Sequence, residues 1–223
     1  MPSAARPPRV AVVPDLTIAP IFLDGFATLP LAPEAREAML DAWALPGNAG
    51  SPNASGERAA QIIANARADI AALIGAAPAE IIFTSGATEA NNLAILGIAH
   101  LDIAQSAGRH RIVVSSVEHK AVLEPAYILA GQGFEVVVIP VDRHGRIDLR
   151  RLEALVDERT LLVSVMMVNN ETGVVQPVSQ AASIAHAAGA LFHTDAAQAV
   201  GKIAINVLDF EVDYLSLSAH KCY

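Results

Sequence analysis

The feature that most constrains this chain is a rhythm of short apolar runs, each followed by polar residues and then by a segment of helical length. Ile81–Phe83, Arg111–Ser115, Phe134–Pro140, Leu161–Val168, Leu191–Thr194 and Tyr214–Leu217 read as strands. Ala87 to about Ala107, Ala121–Gln132, Leu149–Val156 and Ser179–Ala188 read as the helices between them. Strands alternating with helices of this length form crossover units and a largely parallel sheet. The strands are continuous apolar runs rather than alternating ones, as strands covered on both faces are. Alanine accounts for 43 of the 223 residues, and such small side chains let helices lie close on a sheet. The fold class is α/β: a mostly parallel sheet with helices on both faces.

Upstream, Ile21–Leu23 reads as a short strand and Pro33–Ala44 as a helix opening on proline. Gly47–Asn53 has the chemistry of a loop, and a helix from about Ser55 to Leu73 ends at Gly75. Residues 1–20 are interrupted by Pro7, Pro8, Pro14 and Pro20 and read as a disordered tail without the continuous apolar stretch of a signal peptide.

Composition excludes several classes. The formal net charge is −8 without a Lys/Arg cluster, a poor match to nucleic acid or an anionic membrane surface. No apolar run approaches the roughly 18 residues of a membrane span. The single cysteine, Cys222, leaves no internal disulfide framework and fits a reducing compartment, so a cytoplasmic location is expected. No metal site is expected, because His193 and Asp195 are too close in sequence for metal-ligand spacing and no Cys/His pair supports them. Gly131-Gln132-Gly133 precedes a strand instead of following one, so it reads as a helix-to-strand turn and not as a dinucleotide fingerprint.

In parallel sheets ligands bind at the carboxyl ends of the strands. Five strand ends here carry polar groups: Thr84–Glu89, Ser116–His119, Asn169–Gly173, Asp195–Gln198 and Ser218–Lys221. Ser85-Gly86-Ala87-Thr88 stands where a strand turns into a helix, and reads equally well as an anion cradle or as a helix cap with Glu89. Asp195 suits a metal ligand, an ion pair or an acceptor for a protonated ring nitrogen. Lys221, taken alone, is an ordinary solvated residue. Together an anion cradle, an acid, two amides, a histidine and a lysine form the set needed to hold pyridoxal phosphate through a Schiff base.

These stretches resemble the cysteine desulfurase family, within the class V aminotransferase-like, fold type I pyridoxal-phosphate enzymes. The matching motifs are Phe22–Thr28, Phe83–Ala94, Val117–Val122, Val168–Gly173, Phe192–Lys202 and Leu217–Lys221. The resemblance implies that residues 21–223 form part of the cofactor-binding large domain, incomplete at its C-terminus, with an N-terminal segment that joins a small domain absent here. It implies that Lys221 bonds pyridoxal 5'-phosphate, Asp195 pairs with the ring nitrogen and His119 stacks on the ring and moves protons. Asn170 and Gln198 are implied to contact the cofactor and substrate side, and Ala87, Thr88, Ser218 and His220 to hold the phosphate.

The implied reaction takes sulfur from L-cysteine, leaving alanine and an enzyme persulfide for iron–sulfur cluster assembly or thiolation. The implied assembly is a homodimer that meets a sulfur acceptor or scaffold protein. The family's catalytic cysteine and substrate-binding arginine are expected beyond Lys221, and Cys222 does not correspond to that cysteine. Other readings are another class V enzyme, such as a selenocysteine lyase or an aminotransferase, and a non-catalytic partner module with the same fold.

Overall fold

The computed structural model describes residues 21–101 and 108–222. The tail expected over residues 1–20, and the end of the helix expected to reach Ala107, lie outside the described residues. Five strands form one sheet in the order β2-β1-β3-β4-β5. They are β1 (Arg111–Ser115), β2 (Glu135–Ile139), β3 (Thr160–Ser164), β4 (Leu191–Asp195) and β5 (Tyr214–Ser216), and every pairing is parallel. The helices are α1 (Pro33–Ala44), α2 (Ala54–Ile74), α3 (Ala87–Ile98), α4 (Lys120–Ala130), α5 (Leu149–Leu155), α6 (Val178–Ala187) and α7 (Val207–Phe210).

Alternation along the strands divides the core into two layers. Ile112, Val114 and Leu162 face α3 and α4, where Ile95, Ile98, Val122, Ala126 and Leu129 cover them. Val113, Val163, Ile139 and Phe192 face the other way, against Leu152 of α5 and Val178, Ala181, Ala182 and Ala185 of α6. Ala181, Ala182 and Ala185 of α6 are fully buried, so their small size sets how closely that helix lies on the sheet. Caps bound α2 at both ends. The Asn53 side chain accepts from the N–H groups of Ser55 and Gly56, and Gly75, at φ 71°, closes the helix in the left-handed conformation.

Arg111 anchors the amino end of the sheet. It is almost fully buried and pairs with Glu135 at 2.9 Å and Asp157 at 2.8 Å, and it donates to Leu155 O. This network joins β1, β2 and the end of α5, and leaves the carboxyl ends of the strands free for chemistry.

The fold class matches the sequence reading, and three local expectations are corrected. Ile21–Leu23 and Ile81–Phe83 are not strands. The first pairs with no strand among the described residues and is exposed. The second forms no ladder with any described strand and is held by Arg67, which donates to Ile81 O and lies 4.9 Å over the Phe83 ring. A periodicity argument registers apolar side chains but not whether a neighbouring strand is there to pair with. The strand expected over Leu161–Val168 ends at Ser164. Beyond it, irregular backbone still bonds β4 through Val165 N to His193 O and Met167 N to Asp195 O. The four-residue α7 gave no periodic signal, being too short to repeat.

Between β5 and residues 81–84 runs a groove of about 540 Å³, lined by Ile81, Ile82, Phe83, Leu215 and Leu217. Ile82 on its wall is 71% exposed. Ile82→Lys is expected to lower binding of an apolar-surface dye while changing stability by no more than about 0.5 kcal/mol, as exposed positions do. Dye titration and urea denaturation of the two chains check both parts.

Candidate active site

The carboxyl ends of β1, β3, β4 and β5 and the amino end of α3 converge on a cavity of about 250 Å³. Ala87, Thr88, His119, Asn170, Asp195, Gln198, Ser218, His220 and Lys221, the nine positions singled out in the sequence, all line it. The larger groove beside β5 is mainly apolar and holds none of the acid, lysine and amide groups gathered here.

The cradle begins at Gly86, whose φ of 154° and ψ of −178° lie in a region open essentially to glycine alone. Gly86 occupies the cap position of α3, and no side chain caps the helix. Glu89 instead reaches back to accept from the Ser85 N–H at 2.6 Å. Hydrogen bonds from the Ser85 side chain and backbone hold its carboxyl below the usual carboxylate range. The cap suggested for Ser85 is therefore reversed: the glutamate accepts and the serine donates. The first N–H groups of α3 have no acceptor within the helix, so Ala87 and Thr88 present donors and the positive end of the helix dipole to the cavity.

Asp195 closes β4 and is buried. Its Oδ1 accepts from Ala197 N at 2.9 Å and its Oδ2 from Asn91 Nδ2 at 2.8 Å. Among the described residues no lysine, arginine or histidine forms an ion pair with it. Below it on the strand, His193 bridges Ser164 Oγ at 2.8 Å and Ser216 Oγ at 3.2 Å, joining β3, β4 and β5. Burial pushes the His193 imidazole down to about 4 against the pull of the Asp195 charge, so it is neutral at pH 7.

His119 precedes α4, and its Nδ1 accepts from Ala121 N at 3.1 Å. That bond puts the proton of the neutral ring on Nε2, the nitrogen left for chemistry. Asn170 is presented by its buried neighbour Asn169. The Asn169 Oδ1 accepts from Glu171 N, Thr172 N and Thr172 Oγ1, while its Nδ2 donates to Val117 O. Gln198 has both ends of its amide engaged: Nε2 donates to Phe26 O at 2.7 Å, and Oε1 accepts from Lys202 Nζ at 3.0 Å. Lys221 sits in a single 3₁₀ turn, Ala219–Lys221, after β5. The N-terminal segment braces that turn, since Leu29 N donates to His220 O at 3.0 Å and Thr28 Oγ1 lies 3.2 Å from His220 Nδ1.

Asn91, Asn169 and Lys202 were not assigned site roles from the sequence. The signal for Asn91 was available: it lies one turn beyond Ala87 and one before Ile95, a polar residue on the buried face of α3, where it needs a partner. Among the described residues no cluster of three metal-ligating side chains occurs.

The donor set fits pyridoxal phosphate. Outward N–H groups with the Thr88 and Ser218 hydroxyls suit a phosphate, and a buried carboxylate without a cation suits a protonated ring nitrogen. Lys221 supplies an amine on the same wall.

Comparison with known proteins points the same way. The family model described as "Aminotransferase class-V" matches residues 21–223. The chain is 48% identical over 206 residues to a protein named "Cysteine desulfurase IscS" from Anaeromyxobacter sp. (strain Fw109-5), covering 92% of this chain and 50% of that one. A solved structure titled "NIFS-LIKE PROTEIN" superposes with a TM-score of 0.83 at 38% identity, over 89% of this chain and 54% of the other. Another, titled "SspA in complex with cysteine", gives a TM-score of 0.83 at 37% identity, over 90% and 57%. The chain spans about half the length of the curated relatives it matches.

Substitutions at two positions probe the site's frame. Gly86→Ala meets no atom within 4 Å, so its cost is the backbone conformation alone, about 1–3 kcal/mol. Asn91→Ala removes a donor from a buried carboxylate and costs about 1–3 kcal/mol, whereas Asn91→Asp costs more by placing a second carboxylate against Asp195. Urea denaturation of the three variants gives the ranking.

Proposed function

This chain belongs to the class-V aminotransferase family, and on that premise we propose that it holds pyridoxal phosphate in a cysteine desulfurase. The observation that carries the reading is the convergence of Lys221, the cation-free Asp195 and the N-terminus of α3 on one cavity. The relative named as a cysteine desulfurase and the solved relative in complex with cysteine support L-cysteine as the substrate.

Bound in this cavity, pyridoxal phosphate supplies an electron sink for the charge that develops at the substrate's α-carbon. The protein's own groups divide the work. Ala87 and Thr88, with Ser218 and His220, grip the phosphate and fix the ring's position. Asp195, held rigid by Asn91 and Ala197 N, keeps a proton on the ring nitrogen. Lys221 Nζ would bond the group, and its amine would hold or accept a proton at that side of the cavity. His119 stacks on the ring and carries a proton on Nε2, since protonating Nδ1 would break its bond to Ala121 N. Gln198 gives one amide N–H to Phe26 O and keeps a second that would serve the cofactor, and Asn170 would face the substrate side.

The sulfur passes to a thiol other than that of Cys222. Cys222 Sγ lies 3.3 Å from Ala219 O and 3.6 Å from Ser218 O, turned onto the carbonyls of its own turn. Residues 21–223 are read as part of a large domain whose accepting cysteine and carboxylate-binding arginine come from polypeptide beyond Lys221. In this reading the working protein is a cytoplasmic homodimer that hands its sulfur to an acceptor or scaffold for iron–sulfur assembly. The IscS names of the relatives support that destination.

Incubation with pyridoxal phosphate, borohydride reduction and peptide mass spectrometry are expected to place one adduct on Lys221, lost in Lys221→Ala and reduced in Asp195→Ala. Labels scattered over surface lysines would overturn the reading. Supplied with L-cysteine, residues 1–223 are expected to give no sustained alanine production, and polypeptide carrying both the accepting thiol and the carboxylate-binding arginine to restore it.

A further inference from the structure

Glu118 is the one buried acid that the proposed chemistry leaves unused. It follows β1, is 7% exposed, and pairs with no cation among the described residues. Its hydrogen bonds are lopsided. Ser115 Oγ and Met166 N–H both donate to Oε1, each at 2.6 Å, while Oε2 is buried with no partner. Two donors on one oxygen and none on the other is the pattern of a carboxylic acid, with Oε1 the carbonyl and Oε2 the hydroxyl. Asn91 Oδ1 is the other buried side-chain atom without a partner among the described residues, and it is an acceptor. Asn91 holds Asp195 directly, and Glu118 lies within the field of the same carboxylate. A proton on Oε2 replaces an unpartnered buried charge by a neutral hydroxyl, which costs far less to bury.

We propose that Glu118 is held as the neutral acid and acts as a positioning residue, tying the end of β1 to the end of β3 beside His119 and leaving Asp195 the single buried negative charge of the cavity. Its use to a bound cofactor rests on the function proposed above; the protonation itself does not. Burial and the Asp195 charge push the carboxyl up to about 8, against the hydrogen bonds from Ser115 and Met166. The groups facing it are Ser115 on β1, Met166 N–H after β3 and Asp195 on β4, with neutral His193 beyond.

The sign of the pH dependence follows. A carboxyl whose value is raised on folding makes the folded chain bind more protons than the unfolded one. Stability is then lost as pH rises from the ordinary value of 4.5 to about 8. Glu118→Gln keeps an oxygen for the two donors and an N–H₂ in place of the hydroxyl, but cannot titrate.

Cofactor-free wild-type, Glu118→Gln and Glu118→Ala chains are melted and denatured between about pH 5.5 and 8.5. The stability advantage of Glu118→Gln over wild type is expected to widen with pH, by up to about tenfold in the folding equilibrium per unit, and to level off near 8. Glu118→Ala, which strands both donors, is expected to melt below Glu118→Gln throughout. His193 titrates in every chain and cancels in the differences. A gap that does not change with pH, or Glu118→Gln weakest at high pH, overturns the proposal. Should Glu118→Gln not fold, infrared spectroscopy of the wild-type chain decides. A protonated-carboxyl stretch at neutral pH, shifted by Ser115→Ala, supports the proposal, and its absence overturns it. Neither measurement uses pyridoxal phosphate, so this inference and the Lys221 labelling succeed or fail separately.

Discussion

The hydrogen bond from Asn91 to Asp195 holds the site together. It spans 104 positions of sequence and joins the first turns of α3, which present the anion cradle, to the end of β4, which presents the acid. Without it the two charge-binding ends of a cofactor site would belong to elements related only by packing. With it, their separation is set by a side chain locked in a dry interior, where a hydrogen bond to a charged group is stronger than in water.

The rest of the architecture serves that geometry. A parallel sheet covered on both faces has no room for unpaired polar groups in its middle, so they collect at its two ends. At the amino end they satisfy one another, in the Arg111 network with Glu135 and Asp157. At the carboxyl end they are left facing a cavity. Between the ends, His193 is the one titratable side chain within the strands that is fully buried, and two serine hydroxyls satisfy it without a charge. The N-terminal segment then straps the turn that bears Lys221, so residues nearly two hundred positions apart share one wall.

Much of this was legible before any coordinates, for a physical reason. Buried parallel strands announce themselves as unbroken apolar runs, and the polar residues that end them stand out against an alanine-rich background. That contrast located the five strand ends, and the family resemblance picked out on them the nine positions that line the cavity. What holds them was less legible. Asn169 stands on one of those strand ends, but its partners do not show in sequence. Asn91 is marked only as a polar residue on the buried face of α3, and Lys202 lies in a turn where a polar residue is ordinary. Nor did the contrast show that Gln198 spends its amide on Phe26 and Lys202, since a side chain's partner is a matter of distance and not of type.

By itself, then, the sequence determined the fold class, the layering and the rim on which chemistry could occur, because these depend on local periodicity and on which residues tolerate burial. The tertiary structure alone decided which apolar runs become strands. Ile81–Phe83 has the composition of a strand but forms no ladder with any described strand, and Arg67 holds it instead. Tertiary structure also decided the ionisation of the site. Glu118 and Asp195 are both acids at strand ends, and only their surroundings tell them apart: two donors on one oxygen of the first, one on each oxygen of the second.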